Sequence, residues 1–164
     1  MRGTTRNMAA IDPGPGYWQG NEHNLHAIYM FNEAWRPDLT QKWARWALTD
    51  RYDTGPDGLD GNDDGGATSS WYVFSSLGIY PMAGSDRWWI GALIVDSAVL
   101  DLGSGKTLTI TANNQSARNK YVQNVTLNSV KLTESWVLYG ALTAKTSNSL
   151  MFEMGPKPAT GGGY

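Results

Sequence analysis

The sequence predicts an α+β fold with helices first and strands afterwards. Three observations carry that expectation. Apolar residues recur at helical spacing up to Leu77, and at the spacing of strands after Pro81. Gly78 and Pro81 punctuate the change, a helix C-cap and a stop. The 164 residues also hold 8 Trp, 8 Tyr and 19 Gly, which supply large core side chains and many sharp turns.

The elements follow in order. Residues 1–16 form a polar lead with Pro13 and Pro15, expected to be irregular. From Glu22 to Ala34, Leu25, Ile28 and Tyr29 recur at helical spacing, and Pro37-Asp38 opens a second helix with proline in its first turn. In that second helix Leu39, Trp43, Trp46 and Ala47 make one apolar stripe. A loop rich in Gly and Asp runs from Asp53 to Gly66. A third helix follows from about Gly66 to Leu77, with Ala67, Trp71, Phe74 and Leu77 on one face. Strands are expected within the apolar run Trp88–Val95, around Val99–Leu102, over Lys106–Ala112, over Tyr121–Leu127 and over Ser149–Met154. Gly161–Tyr164 reads as a loose end. The organisation is therefore a lead over 1–16, a helical region over 17–82, a β-rich region over 83–158 and a flexible tail over 159–164. Three helices cannot close a helical layer by themselves, which suggests the C-terminal part of a larger enzyme.

Composition narrows the function. The net charge is -2, with 13 Lys+Arg against 15 Asp+Glu, which argues against nucleic acid as a partner. No apolar run approaches the roughly 18 residues of a membrane span. Residues 1–16 hold Arg2 and Arg6 but no apolar stretch, so they do not read as a secretory leader. The absence of cysteine excludes disulfides and thiol nucleophiles.

Polar residues gather at two places. Five of the 15 acidic residues (Asp53, Asp57, Asp60, Asp63 and Asp64) lie in the loop before the third helix, with no Lys or Arg among them. A carboxylate there meets free N–H groups and the positive end of the helix dipole, which favour its ionised form. Such a group can serve as a general base for water, or as a plain helix cap. Asp60, Asn62, Asp64 and Gly65 also match the opening of an EF-hand loop, but Trp71 stands where its bidentate Glu belongs, leaving at most a looser oxygen site. The second gathering is Gly20-Asn21-Glu22-His23-Asn24-Leu25-His26, whose oxygens suit a hard cation or sugar hydroxyls. His23 and His26 lack the third ligand a zinc site needs from a further His. Trp71-Tyr72 or Trp88-Trp89 would make sugar platforms, or simply core. Two sequons, Asn114-Gln115-Ser116 and Asn124-Val125-Thr126, permit N-glycosylation in an exported protein.

Several runs together resemble the C-terminal half of a glycoside hydrolase family 92 catalytic domain. They are Gly20-Asn21-Glu22 with His26, then Arg51-Tyr52, then Gly58–Gly66 continued by Ser70–Pro81. The tail fits through Gly105-Lys106, Ala112-Asn113-Asn114, Asn119–Gln123, Leu127-Asn128 and Met154-Gly155-Pro156. The resemblance implies a calcium-dependent, inverting exo-α-mannosidase acting on mannose-containing glycans such as N-glycans or mannans, with α-1,2 the expected linkage. It implies a two-domain enzyme whose (α/α)6 barrel includes these helices, with antiparallel strands after them. By the same resemblance Asp64, then Asp63, is the general base. Glu22, His26 and Asn62 meet substrate, and Asn21 and Glu22 lie at the calcium. Asn62 stands where some relatives have Asp, and His23-Asn24-Leu25 replaces the family's usual Pro-Ser-His. The general-acid Glu has no match in Met1–Trp18, so the chain is expected to be inactive without the upstream part of the enzyme. The resemblance also suggests a secreted or periplasmic protein. The competing expectations are a calcium-dependent sugar-binding remnant and a silent structural fragment.

Overall fold

The computed structural model describes residues 17–160, so the expected lead over 1–16 and the end over 161–164 lie outside the described residues. The expected order of helices and strands holds, with differences inside it. The Glu22–Ala34 segment is not one helix. It forms 3₁₀ turns at Glu22–Asn24 and Ala27–Tyr29 and then one α-helical turn, α1 (Met30–Glu33). Side chains from elsewhere take the carbonyls that a continuous helix would use. Trp71 Nε1 donates to the Leu25 carbonyl at 2.9 Å, and Thr40 Oγ1 to the Ile28 carbonyl at 3.0 Å.

Helix α2 (Pro37–Asp50) begins with proline at its first position, where the missing N–H costs nothing. Its deepest face is not the expected aromatic stripe. Trp43 and Trp46 are half-buried, while Thr40, Gln41, Ala44, Arg45, Ala47 and Leu48 are buried. Gln41 explains part of the shift: its Oε1 accepts the Val122 amide at 3.0 Å and ties α2 to the sheet. Helix α3 (Ala67–Ser76) ends as expected at Gly78, whose φ of +79° stops the helix.

Strands β1 (Ile79–Pro81) and β2 (Arg87–Ile90) pair antiparallel, and β2 pairs with β7 (Trp136–Leu138). Pro81 thus closes an edge strand rather than a helix, the place a residue without an N–H can occupy. The larger sheet runs β3 (Ser97–Gly103), β4 (Lys106–Asn113), β8 (Ser147–Gly155), β5 (Tyr121–Leu127), β6 (Val130–Lys131). It is mixed, not wholly antiparallel as expected, because β4 and β8 run parallel from Thr107↔Ser147 to Asn113↔Glu153. The long connection through β5, β6, β7 and the short helix α4 (Tyr139–Leu142) permits that crossover.

Two apolar clusters result. One contains Ile79, Ile90, Leu108, Ile110, Val125, Leu150 and Phe152, mostly from the sheets. The other gathers Leu25, Ile28, Tyr29, Ala44, Ala47, Leu48 and Trp71, and it also takes Trp89 from β2.

Candidate active site

The site begins with two backbones in contact. A Cβ on Gly20 would lie 1.3 Å from the Asp60 carbonyl oxygen, and one on Gly61 would lie 2.6 Å from the Gly20 carbonyl oxygen. Only glycine permits that approach, and Gly61 also has φ +107°. The contact lays the Asn21-Glu22 segment beside the Asp60–Asp64 loop. These were the two polar gatherings of the sequence.

The carboxylates of the loop then separate by environment. Asp60 is 3% exposed, and its Oδ2 accepts Arg51 Nε at 2.7 Å. It is a buried ion-pair partner that holds the loop down. Asp63 is half-buried. Its Oδ1 accepts the Ser69 amide at 2.8 Å, and its carbonyl accepts the Gly66 and Thr68 amides, both at 3.2 Å. It therefore satisfies first-turn amides of α3, the capping role, although the N-cap position itself is Gly66. Asp64 is exposed at φ +49°, followed by Gly65 and Gly66 at +69° and +97°. Its carboxylate has no hydrogen-bond or ion-pair partner among the described residues. Aspartate is one of the few non-glycine residues that take the left-handed region readily, so this turn suits Asp64.

The other candidates are placed as follows. Asn62 is exposed, and its carbonyl accepts Thr68 Oγ1 at 3.1 Å. Glu22 is exposed on the first 3₁₀ turn, with its carboxylate 3.9 Å from His23 Nδ1. The Asn21 amide oxygen lies 3.2 Å from the same nitrogen. Glu22 and His23 line a cavity of about 400 Å³ with Ala67, Ser70, Trp71 and Tyr80. His26 is exposed and does not line that cavity; nor do Asn62, Asp63 and Asp64. Asp64 adjoins it through the backbone, its carbonyl accepting the Ala67 amide at 3.4 Å.

The cavity wall is braced from behind. Trp71 is fully buried, stacks on Tyr52 at 5.7 Å and meets Tyr29 edge-on at 6.3 Å. Tyr52 donates to the Thr68 carbonyl at 3.2 Å and accepts Gln19 Nε2 at 2.9 Å, and Gln19 Oε1 accepts the Tyr17 hydroxyl. Burial pushes the hydroxyls of Tyr17, Tyr52 and Tyr80 above the usual phenol value, so all three stay protonated. Sequence reasoning missed this brace and the Arg51–Asp60 pair. Arg51-Tyr52 stood next to the acidic loop, but nothing in the spacing shows which carboxylate takes the guanidinium. Trp71 is core, while Trp88 and Tyr72 remain half-buried.

Calcium takes six to eight oxygen ligands. The Asn21-Glu22 segment offers an amide oxygen and a carboxylate, both hard donors, and among the described residues no three His, Asp or Glu side chains converge. The pair fits one edge of such a site and falls short of a whole one.

A loop of carboxylates at a helix start lies next to an aromatic-walled cavity of about 400 Å³, an arrangement that suits a glycoside hydrolase. The family model described as the glycosyl hydrolase family 92 catalytic domain matches residues 4–156, and the chain belongs to this family. It is 31% identical over 121 residues to an uncharacterized secreted glycosidase of Arthroderma benhamiae, covering 72% of this chain and 16% of that protein. A family GH92 α-mannosidase from Bacteroides thetaiotaomicron matches at 36% identity and TM-score 0.81, over 88% of this chain and 19% of that one. An inverting GH92 mannosidase from the same species, strain VPI-5482, matches at 31% identity and TM-score 0.81, over 92% and 20%. The chain thus spans about a sixth to a fifth of the length of these relatives. Among the described residues no helix is long and apolar enough to cross a membrane.

Proposed function

We propose that this chain carries the water-activating side of an inverting exo-α-mannosidase that removes terminal α-linked mannose from N-glycans or mannans. One observation carries the assignment of the base. Of the three carboxylates between Asp60 and Asp64, Arg51 holds the first and the Ser69 amide the second, which leaves Asp64 exposed. Family membership and the mannosidases among its structural relatives supply the substrate class.

In the single displacement, Asp64 takes a proton from water as the oxygen attacks the anomeric carbon, and an acid protonates the departing oxygen. The two carboxyls of an inverting pair stand about 6.5–9.5 Å apart, leaving room for the water. Asp63 is the second choice for the base. In the primary reading it steadies the loop through Ser69. Glu22 faces the cavity beside Trp71 and meets sugar hydroxyls, with Asn62 and His26 as outer contacts of a longer glycan. Calcium would supply positive charge near those hydroxyls, and Asn21 and Glu22 would give it two oxygens. The acid is expected from a segment upstream of Gly20-Asn21-Glu22, so Asp64 supplies one half of the reaction. The enzyme acts outside the cytoplasm, as the secreted glycosidase among its relatives suggests.

The test is proton NMR of mannose release from α-linked mannobioses with calcium present, using this chain within an intact family 92 enzyme. Release of β-mannose first, with Asp64→Ala lowering turnover about 100- to 10,000-fold, is expected. Unchanged turnover in Asp64→Ala overturns the base assignment. Turnover by the isolated chain overturns the external acid and points to Glu22. A second reading, a sugar-binding remnant, predicts saturable mannoside binding without turnover in the intact context.

A further inference from the structure

The structure assigns Asn114, and not Asn124, as the acceptor of an N-linked glycan on this chain, an inference that rests on the chain being exported through a glycosylating secretory pathway. Both residues open a sequon, and the fold treats them in opposite ways. Asn114 is the first residue after β4, exposed, with φ +60°. Its backbone carbonyl accepts Asn119 Nδ2 at 2.8 Å, which fixes the turn, while its own amide group takes part in no hydrogen bond among the described residues. The sequon hydroxyl, Ser116 Oγ, accepts the Asn119 amide at 3.0 Å, so the loop is closed by the sequon's own neighbours and not by the Asn114 side chain. A sugar on Asn114 Nδ2 would leave the strand ladders untouched, since the last β4 residue paired with β8 is Asn113.

Asn124 lies inside β5, opposite Glu153 of β8, where the register slips between Val122 and Asn124. Its side chain is half-buried, and its Oδ1 is closed off from solvent with no hydrogen-bond partner among the described residues. Its amide thus sits at a half-buried position inside the β5–β8 ladder, next to the fully buried Val125, where a first sugar ring would crowd the paired strands. A sugar at Asn124 is therefore disfavoured against one at Asn114.

In the transfer, Asn114 Nδ2 attacks the anomeric carbon of the first N-acetylglucosamine of a lipid-pyrophosphate-linked oligosaccharide. A C–N bond forms, the bond from that carbon to the pyrophosphate oxygen breaks, and the amide proton ends on the pyrophosphate released. The host's oligosaccharyl donor is the only co-reactant.

The experiment is secretion of the chain from a yeast, within the intact enzyme, followed by peptide mapping before and after peptide-N-glycosidase. The expected result is one glycan, at Asn114, seen as conversion of that residue to Asp on enzymatic release, with Asn124 unmodified. Ser116→Ala and Asn114→Gln each remove it, and Thr126→Ala leaves it in place. Secreted, folded protein with an unmodified Asn114, or with a glycan on Asn124, overturns the assignment. Mannose release is measured on the same samples, so failure of the mannosidase reading shows separately from failure of this one.

Discussion

In the five-stranded sheet, Leu108, Ile110, Val125, Leu150 and Phe152 enter the core from alternating positions of paired strands. Around Trp71 the core is built another way. Rings stack on rings, and side chains donate to carbonyls of turns that no regular helix satisfies. The sheet can absorb a lost methyl group locally, because its hydrogen bonds run between backbones and do not depend on any one side chain. The helical region cannot, since Trp71, Thr40 and Tyr52 are themselves the partners of its backbone. The difference teaches why the candidate chemistry sits where it does. Loops held by a few specific side chains can take positive-φ geometry, and the sheet provides the rigid side they lean on.

Replacing the shared pillar should expose that difference most strongly. Trp71→Ala removes a fully buried ring and leaves the Leu25 carbonyl without its donor, and is expected to cost about 3–5 kcal/mol. Leu150→Ala in β8 is expected to cost about 2–5 kcal/mol through its cavity alone. Denaturant melts of both, followed by ligand binding in the surviving folded protein, check the contrast. Trp71→Ala should lose sugar binding with its stability, whereas Leu150→Ala should keep binding at temperatures where it is folded. Equal binding by both would mean that the two regions are one unit.

Next in size is the contact between the Gly20 and Asp60 backbones. Gly20→Ala drives a methyl group into the Asp60 carbonyl oxygen, and the two polar segments must part. The expected cost is about 1–3 kcal/mol, with a loss in catalysis larger than stability alone explains. An unchanged kcat/KM in the intact enzyme would mean that the contact does not set the site.

How much of this was legible in the sequence follows from the same contrast. Strands β3, β4, β5 and β8 were readable because alternation is a local signal, and so was α2 with its Pro37 start. The parallel pairing of β4 with β8 was not, because register across a long connection leaves no local trace. The broken Glu22–Ala34 segment was misread for a related reason: the donors that interrupt it, Trp71 and Thr40, come from other helices. In the acidic loop the sequence showed that carboxylates gather before α3. It could not sort Asp60 with Arg51, Asp63 with Ser69, and Asp64 with neither, since only the folded loop makes that division.

Arg45 gives a smaller test, at the seam between the regions. It is 7% exposed on α2, its Nη1 donates to the Ser116 carbonyl at 3.4 Å, and its Nε and Nη2 have no partner among the described residues. Burial pushes the guanidinium down to about 10, and no carboxylate pairs with it among the described residues. Arg45→Met keeps the packed stem and removes the charge, so it is expected to stabilise the fold by about 1–2 kcal/mol. A lower thermal midpoint would mean that the guanidinium is satisfied in solution and that the seam is electrostatic after all.

The smallest effect concerns a residue that the helical region holds in an unusual conformation. Trp35 follows α1 at φ +59°, with its amide on the Asn32 carbonyl at 3.2 Å and the Arg36 amide on the Phe31 carbonyl at 2.8 Å. That is the Schellman ending of a helix, whose left-handed position favours glycine. A tryptophan there is 75% exposed, so little packing offsets its strained backbone. Trp35→Gly relieves the clash but gains flexibility in the unfolded chain, and the two leave a net stabilisation of about 0.5 kcal/mol. Trp35→Asn separates those terms, because asparagine tolerates the same φ without glycine's entropy. Both variants should melt slightly higher than the parent in the intact enzyme. If both melt lower, the indole makes a contact worth more than the strain, and this exposed corner of the helical region is as specifically held as the turns around Trp71.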